Sequence, residues 1–137
     1  MNDELLNAAR TMMQRSYCRY SGFPVGAALI SSSGQIYTGC NVENASFPEG
    51  TCAEAGAIAA MVASGERRIQ AIYVMGAGDA LVSPCGGCRQ RIREFAQPDT
   101  QVHICSPTGI RQTLTVQELL PYSFGPENLP AMESDHE

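Results

Sequence analysis

The apolar residues of the first segment follow the period of an α-helix. They fall at positions i, i+3, i+4, i+7 and i+8, namely Leu5, Ala8, Ala9, Met12 and Met13. Such spacing places apolar side chains on one face of a helix. We therefore predict an N-terminal helix that ends before the turn sequence YSGFP at residues 20–24, which combines glycine with proline.

The next segments predict a hairpin and a second helix. Two short apolar runs, VGAALIS at residues 25–31 and QIYTGCNV at residues 35–42, flank a turn sequence and indicate two paired strands. Residues 51–61, TCAEAGAIAAM, indicate a helix of small apolar residues. Thr51 can cap this helix and Gly65 can end it.

The second half of the chain alternates between strand patterns and helix patterns. A buried strand is predicted at residues 69–77, a turn into a helix at 83–96, a strand at 101–107 and a short helical segment at 114–121. A strand-helix-strand unit makes its two strands parallel neighbours. The predicted fold class is therefore α/β, with a mixed β-sheet of about five strands and helices packed on both faces. The pattern itself locates four of these strands.

The chain has the length of one domain. It contains 137 residues and no internal repeat. We predict a single catalytic domain over residues 1–125 and an acidic C-terminal tail over residues 126–137. The first segment is amphipathic and lacks the basic patch and apolar run of a secretion signal, so we expect a cytoplasmic location.

Charge and cysteine content narrow the possible functions. The formal net charge is −5, and nine lysine and arginine residues form no basic stripe for a phosphate backbone. A small neutral molecule is therefore favoured over a polynucleotide, and no membrane partner is expected. The six cysteines of a cytoplasmic protein stay reduced, so clustered cysteines indicate metal binding or catalysis.

Three cysteines lie at predicted helix starts. Cys85 and Cys88 form the sequence PCGGC between a strand and a helix, and Cys52 precedes the other helix. A helix N-terminus lowers the pKa of a nearby thiol, and the thiolate is the form that binds metal. Three thiolates form three corners of a tetrahedron, and a zinc site with an open fourth position is catalytic.

Glu54 completes a hydrolytic site. Zinc lowers the pKa of bound water to about 7, so hydroxide is available as a nucleophile at neutral pH. Displacing an amine from a ring also requires a proton carrier. Glu54 is the one carboxylate between Cys52 and Ser64. It lies beside the metal without binding it, provided that the first helical turn departs from regular geometry.

These motifs resemble a known family. CAE at residues 52–54 with PCGGCRQ at 84–90 resembles the zinc-dependent cytidine deaminases, in their small, three-cysteine, homotetrameric form. FPVGAAL at 23–29, GCNVENAS at 39–46 and LLPYSFGP at 119–126 are also similar to family segments. The resemblance implies hydrolytic deamination of cytidine, deoxycytidine or both, yielding ammonia, with Glu54 as proton shuttle. It also implies a homotetramer with shared active sites.

The resemblance also implies the residues that contact the sugar. Asn41 and Glu43 would hydrogen-bond the ribose, and Phe23 would pack against the nucleoside. The carboxylate of Glu43 would repel a nearby phosphate. A free nucleoside is therefore favoured over a nucleotide.

The base would be recognised by another group of residues. The backbone N–H of Ala53 and the carboxyl of Glu54 would read the base edge, and the carbonyl of Ser83 would meet the departing ammonia. Phe124 would stack on a base in the active site of a neighbouring subunit.

The sequence departs from the family pattern at two places. Ala55 stands where arginine usually follows CAE, so we expect a weaker Lewis acid and a slower or alkaline-shifted enzyme. Arg89, next to Cys88, is expected to offset part of this loss of charge. Residues 47–50, FPEG, also differ from the usual segment, which leaves a deaminase of blasticidin S or another modified cytosine nucleoside as an alternative.

Other interpretations remain open at this stage. A thioredoxin-like redox pair at Cys85 and Cys88 would leave Cys52 and Glu54 unexplained. A structural zinc site would need Cys40 or Cys105 as a fourth ligand, and an inactive homologue that holds zinc is a further possibility. Three cysteines are assigned to the core: Cys18, Cys40 and Cys105. His103 is assigned to a strand and His136 to the tail. Three arginines are assigned to a solvated face: Arg67, Arg68 and Arg91.

Overall fold

The computed structural model describes residues 2–78 and 80–130. The helices are α1 (Asn2–Arg15), α2 (Ala53–Ala63), α3 (Gly86–Glu94) and α4 (Val116–Leu119). The strands are β1 (Val25–Ser31), β2 (Ile36–Cys40), β3 (Ile69–Gly76), β4 (Gln101–Ser106) and β5 (Gly109–Thr115). None of these helices has the length and apolar character needed to cross a lipid bilayer.

The five strands form one mixed sheet. Their order is β2-β1-β3-β4-β5, with β3 and β4 parallel and the other neighbouring pairs antiparallel. This confirms the predicted mixed sheet and its hairpin. The sequence pattern missed β5, because this edge strand is largely exposed and has no apolar face to reveal its period.

Helices cover both faces of the sheet, as predicted. One core lies between the sheet and helices α2, α3 and α4, and it includes Leu29 and Val74. The opposite core lies under α1 and includes Ala28 and Tyr73. Both faces of β1 are buried, which explains why its sequence is an unbroken apolar run instead of an alternating pattern.

The first residues of the C-terminal segment pack against α3. Pro126–Asn128 form a short 3-10 turn, and the carboxylate of Glu127 pairs with Arg93 of α3. Residues 131–137 of the predicted acidic tail, which include His136, lie outside the described residues.

Gly39 brings α2 close to the sheet and so helps to position the active-site end of that helix. A Cβ added at Gly39 would clash with the backbone of α2 at the Ala53 carbonyl and the Ala57 nitrogen. We expect Gly39→Ala to lower the free energy of unfolding by about 3 kcal/mol or more, because rigid backbone has to move. Urea unfolding would measure this change.

A glycine without close neighbours provides the control. An added Cβ at Gly86, the first residue of α3, would meet nothing within 4 Å. Gly86→Ala should therefore change the unfolding midpoint little. Equal stability of the Gly39→Ala variant and the natural protein would contradict the close approach of β2 and α2.

Candidate active site

The N-termini of α2 and α3 meet beside a cavity of about 350 Å³. Each helix is preceded by a cysteine with extended backbone, Cys52 for α2 and Cys85 for α3. The prediction that Thr51 caps α2 is wrong, because Thr51 instead pairs with Val42 through backbone hydrogen bonds of 2.9 and 3.0 Å. Cys52 takes the cap position, and its sulfur is thereby placed at the helix start.

The three cysteine sulfurs form one cluster. The Sγ atoms of Cys52, Cys85 and Cys88 all lie within 4.8 Å of one another. Soft thiolate donors in such a group suit zinc, which favours tetrahedral coordination. Within residues 2–78 and 80–130, no other group of three or more histidine, cysteine or carboxylate side chains could hold a metal.

The alternative of a closed structural site is not supported. Cys40 and Cys105 both lie outside the metal-binding group. Cys105 is buried in the core under α1, where burial raises its pKa to about 11. The described residues therefore bring together three cysteine sulfurs that could hold a metal ion, and neither Cys40 nor Cys105 joins them.

Burial and the backbone N–H groups at the helix start have opposite effects on the pKa values of the cysteine thiols. Burial raises the pKa of the Cys52 and Cys88 thiols, because charge is poorly solvated there. The backbone N–H of Cys88 donates a hydrogen bond that lowers the pKa of Cys85. Buried thiolates need a compensating positive charge, and a bound metal cation provides one. The donor set therefore fits zinc.

Glu54 is buried beside the sulfurs on the first turn of α2. It is 4% exposed, and burial raises the pKa of its carboxyl group. Cys52 has φ −85° and ψ 160°, so it is extended and stands outside the helix. Cys52 therefore lies before the first turn of α2, and the side-chain directions of a regular helix do not apply to residues 52 and 54. This position of Cys52 lets the carboxyl of residue 54 and the sulfur of residue 52 face the same space.

The two arginines of the motif segment have different contacts. Arg89 donates hydrogen bonds to the Pro84 carbonyl at 2.8 Å, the Ser83 hydroxyl at 2.9 Å and the Leu119 carbonyl at 2.9 Å. It therefore holds the loop before α3 in place.

Arg91 is the arginine that the sequence analysis overlooked. Its Nη1 atom lies 3.6 Å from the Cys88 sulfur, although the sequence analysis assigned Arg91 to a solvated face. The residue is exposed, as that assignment expects, and its guanidinium group nevertheless contacts the sulfur. Because side chains three residues apart share a helix face, the spacing from Cys88 is the signal that could have indicated the contact.

The polar end of the cavity includes Asn41 and Glu43. The Asn41 amide accepts from the Val25 N–H at 2.9 Å and donates to the Phe23 carbonyl at 2.9 Å. These bonds brace the start of β1 and leave one amide hydrogen and one lone pair for other partners.

The Glu43 carboxylate is fixed by a turn. It accepts from the backbone N–H groups of Tyr20 and Ser21 at 2.9 and 3.1 Å and from the Ser21 hydroxyl. These hydrogen bonds, led by that from the Ser21 side chain, lower the pKa of Glu43. The group is therefore an anion at neutral pH.

The other predicted contact residues are divided between the cavity and the surface. Ala53 and Ser83 line the cavity. Phe23 and Phe124 are 39% and 58% exposed in the single chain and do not line it. The sequence analysis did not assign the apolar wall residues Val25, Val74 and Val82 to the site, because valines of this kind are indistinguishable from core residues in sequence.

Known proteins share this sequence and architecture. Residues 1–104 match the family described as the cytidine and deoxycytidylate deaminase zinc-binding region. The chain is 39% identical over 127 residues to the cytidine deaminase of Sporosarcina psychrophila, covering 93% of each protein. It is 38% identical to that of Halalkalibacterium halodurans over 125 residues, or 91% of this chain and 95% of the relative.

A solved structure shares this fold along nearly the whole chain. The crystal structure of cytidine deaminase from Burkholderia pseudomallei superposes with a TM-score of 0.85 at 36% sequence identity. The match covers 90% of this chain and 99% of that one. The shared family, fold and cysteine group confirm the resemblance seen in the sequence. The chain therefore belongs to the zinc-dependent cytidine and deoxycytidylate deaminase family.

Proposed function

We propose that the protein is a zinc-dependent hydrolase that deaminates cytidine, deoxycytidine or both to the uracil nucleoside and ammonia. The observation that carries this proposal is the buried Glu54 carboxyl beside three clustered cysteine sulfurs at the wall of a cavity. The family and the cytidine deaminases that the chain resembles support the same reaction. A role in pyrimidine salvage in the cytoplasm follows from this activity.

Cys52, Cys85 and Cys88 would hold the zinc ion. When bound, zinc supplies Lewis acidity that makes a water molecule acidic enough to act as a nucleophile at neutral pH. The protein contributes three sulfur donors and a cavity whose wall includes the apolar side chains of Val25, Val74 and Val82.

Glu54 moves the protons of the reaction. Its carboxylate takes a proton from the attacking water and delivers it to the ring nitrogen N3 of the cytosine base. Once the water oxygen is bonded to C4, the added hydroxyl group gives up its remaining proton, which Glu54 passes to the exocyclic amine. The C4–N bond then breaks, ammonia leaves and the oxygen becomes the C4 carbonyl of the uracil base. Burial raises the pKa of Glu54, which makes its carboxylate a stronger base and suits it to accept the proton of the water.

The cavity wall would orient the nucleoside. The remaining amide hydrogen of Asn41 and the remaining lone pair of Glu43, on Oε2, suit the hydroxyl groups of a sugar. The backbone N–H of Ala53 lies at the start of α2, where it suits the base carbonyl oxygen. The Ser83 carbonyl would accept from the departing ammonia.

The exposed aromatic residues support a multimeric enzyme. Phe23 and Phe124 are large apolar side chains that lie outside the cavity of a single chain. In the proposed homotetramer, Phe23 packs against the bound nucleoside and Phe124 enters the active site of a neighbouring subunit. The side chain of Gln90 holds the Phe124 backbone carbonyl at 2.9 Å, which fixes this segment beside α3.

Ammonia release tests the reaction and its preference for an uncharged sugar. We expect turnover of cytidine or deoxycytidine and much slower turnover of cytidine 5′-monophosphate, because the anionic Glu43 lies in the cavity wall. Glu43→Gln should lower kcat/KM for the nucleoside by about 10- to 100-fold, since hydrogen bonds to a charged group contribute about 1.5–3 kcal/mol. In the same variant, the ratio of kcat/KM for the nucleoside to kcat/KM for the nucleotide should be smaller than in the natural protein.

Glu4→Gln on the exposed surface of α1 is the matched control and should behave like the natural protein. Absence of ammonia from both nucleosides with zinc bound would contradict the proposed reaction. The alternatives of a modified cytosine nucleoside as substrate and of an inactive homologue are not favoured, because the relatives are cytidine deaminases and Glu54 is in place.

A further inference from the structure

We propose that Arg91 is a positioning residue of the metal centre, which holds the Cys88 sulfur and offsets the negative charge of the three cysteine ligands. This inference rests on the zinc-dependent function proposed above. It assigns to α3 a positive charge that the sequence analysis found missing from position 55 of α2.

The geometry of α3 places the guanidinium on the sulfur. Arg91 follows Cys88 by three residues on the same helix face, and its Nη1 atom lies 3.6 Å from Cys88 Sγ. Gly87 leaves room for this arrangement, because a Cβ at that position would lie 3.3 Å from the same Nη1 atom. The guanidinium therefore passes over a position without a side chain to reach the ligand.

The charge of the site calls for such a group. Three thiolates and one zinc ion have a formal charge of −1, and the Glu54 carboxyl lies against the same cluster. Cys88 is fully buried, so water does not solvate its sulfur from the protein side. A cationic donor on this sulfur therefore stabilises the thiolate state that binds metal.

The other arginines of α3 are engaged elsewhere. Arg89 donates to the Pro84 and Leu119 carbonyls and to the Ser83 hydroxyl. Arg93 donates to Ser123 Oγ at 2.8 Å and pairs with Glu127. Of the three arginines of α3, Arg91 is therefore the one whose guanidinium group contacts the Cys88 sulfur.

Position 55 explains how the site accommodates this arrangement. Ala55 of α2 and Arg91 of α3 line the same groove between the two helices. A small residue at position 55 leaves the space beside Cys88 to the guanidinium of Arg91. The sequence led us to expect that Arg89 is the cation that offsets the absence of arginine at position 55. We infer instead that Arg91 of the neighbouring helix supplies the positive charge.

Zinc affinity tests the inference without relying on turnover. In a chelator competition assay, Arg91→Leu should bind zinc about 10- to 100-fold more weakly than the natural protein, the range expected when a group supporting a ligand is lost. Arg91→Lys keeps the positive charge, so its zinc affinity should lie between that of Arg91→Leu and that of the natural protein. Arg68→Leu is the matched control, because it removes the same charge at an exposed residue. Arg68 directly precedes β3, whereas the cysteine cluster lies beyond the other end of this strand.

A rescue variant separates charge from packing. Arg91→Leu combined with Ala55→Arg supplies a guanidinium from the other side of the groove and should regain at least part of the zinc affinity. With Co²⁺ in place of zinc, the thiolate-to-metal charge-transfer band should shift in Arg91→Leu and stay unchanged in Arg68→Leu. A merely structural role for Arg91 would not move this band.

Two results would overturn the inference. One is a zinc affinity of Arg91→Leu within about twofold of the natural protein, with the cobalt band unchanged, since the expected loss is at least about tenfold. The other is a rescue variant as weak as Arg91→Leu, which would assign the effect to the lost side-chain packing. Failure of the proposed reaction would appear differently, as absent ammonia release with the zinc affinities still ordered as expected.

Discussion

Glu54→Gln is expected to lower kcat for nucleoside deamination by at least about 100-fold, because general acid-base catalysis contributes about 10²- to 10⁴-fold. Glutamine has nearly the same shape as glutamate and no proton to exchange at neutral pH. The native carboxyl is 4% exposed and faces the cysteine cluster, so bulk water is poorly placed to replace it. Steady-state ammonia release by the zinc-loaded variant measures the effect.

Two controls separate chemistry from folding in this variant. Zinc content should remain equal to that of the natural protein, because Glu54 is not among the three metal-binding side chains. The unfolding midpoint should change little or rise, since burial already disfavours the charged carboxylate. A kcat within tenfold of the natural protein would remove Glu54 from its proposed role.

The second large effect is expected at Cys88. Its sulfur is fully buried in the group of three cysteines, and a serine hydroxyl does not ionise at neutral pH to replace it. Cys88→Ser should weaken zinc binding by at least about 100-fold, at or beyond the upper limit seen when supporting groups are lost. Deaminase activity should fall with the zinc content, as measured by metal analysis after dialysis against a chelator.

Cys105→Ser is the matched control for this substitution. Cys105 is also buried, at 2% exposure, but it packs in the core under α1, away from the ligand group. Cys105→Ser should lose some stability and keep its zinc. Equal zinc retention by the two serine variants would show that Cys88 is not a ligand.

Local sequence patterns predicted most of the fold because the period of buried residues is a local property. The apolar faces of α1 and β3 and the PCGGC sequence at the start of α3 each appear within about ten residues. The strand β5 was missed for the same reason, since an exposed edge strand has little apolar period. The capping residue of α2 was misplaced by one position, because Thr51 has a backbone partner in Val42 that the sequence does not reveal.

The grouping of the three cysteines near Glu54 was also predicted from sequence alone, since thiols and a carboxyl at two helix starts have few structural explanations. Only the tertiary structure brought the starts of α2 and α3 together and placed the three sulfurs within 4.8 Å of one another. It also decided which cation meets the sulfur: Arg89 turns to backbone carbonyls, whereas Arg91 contacts Cys88. The physical reason is that the sequence determines the residue types and their local spacing, whereas the partner of a charged side chain depends on which elements pack around it.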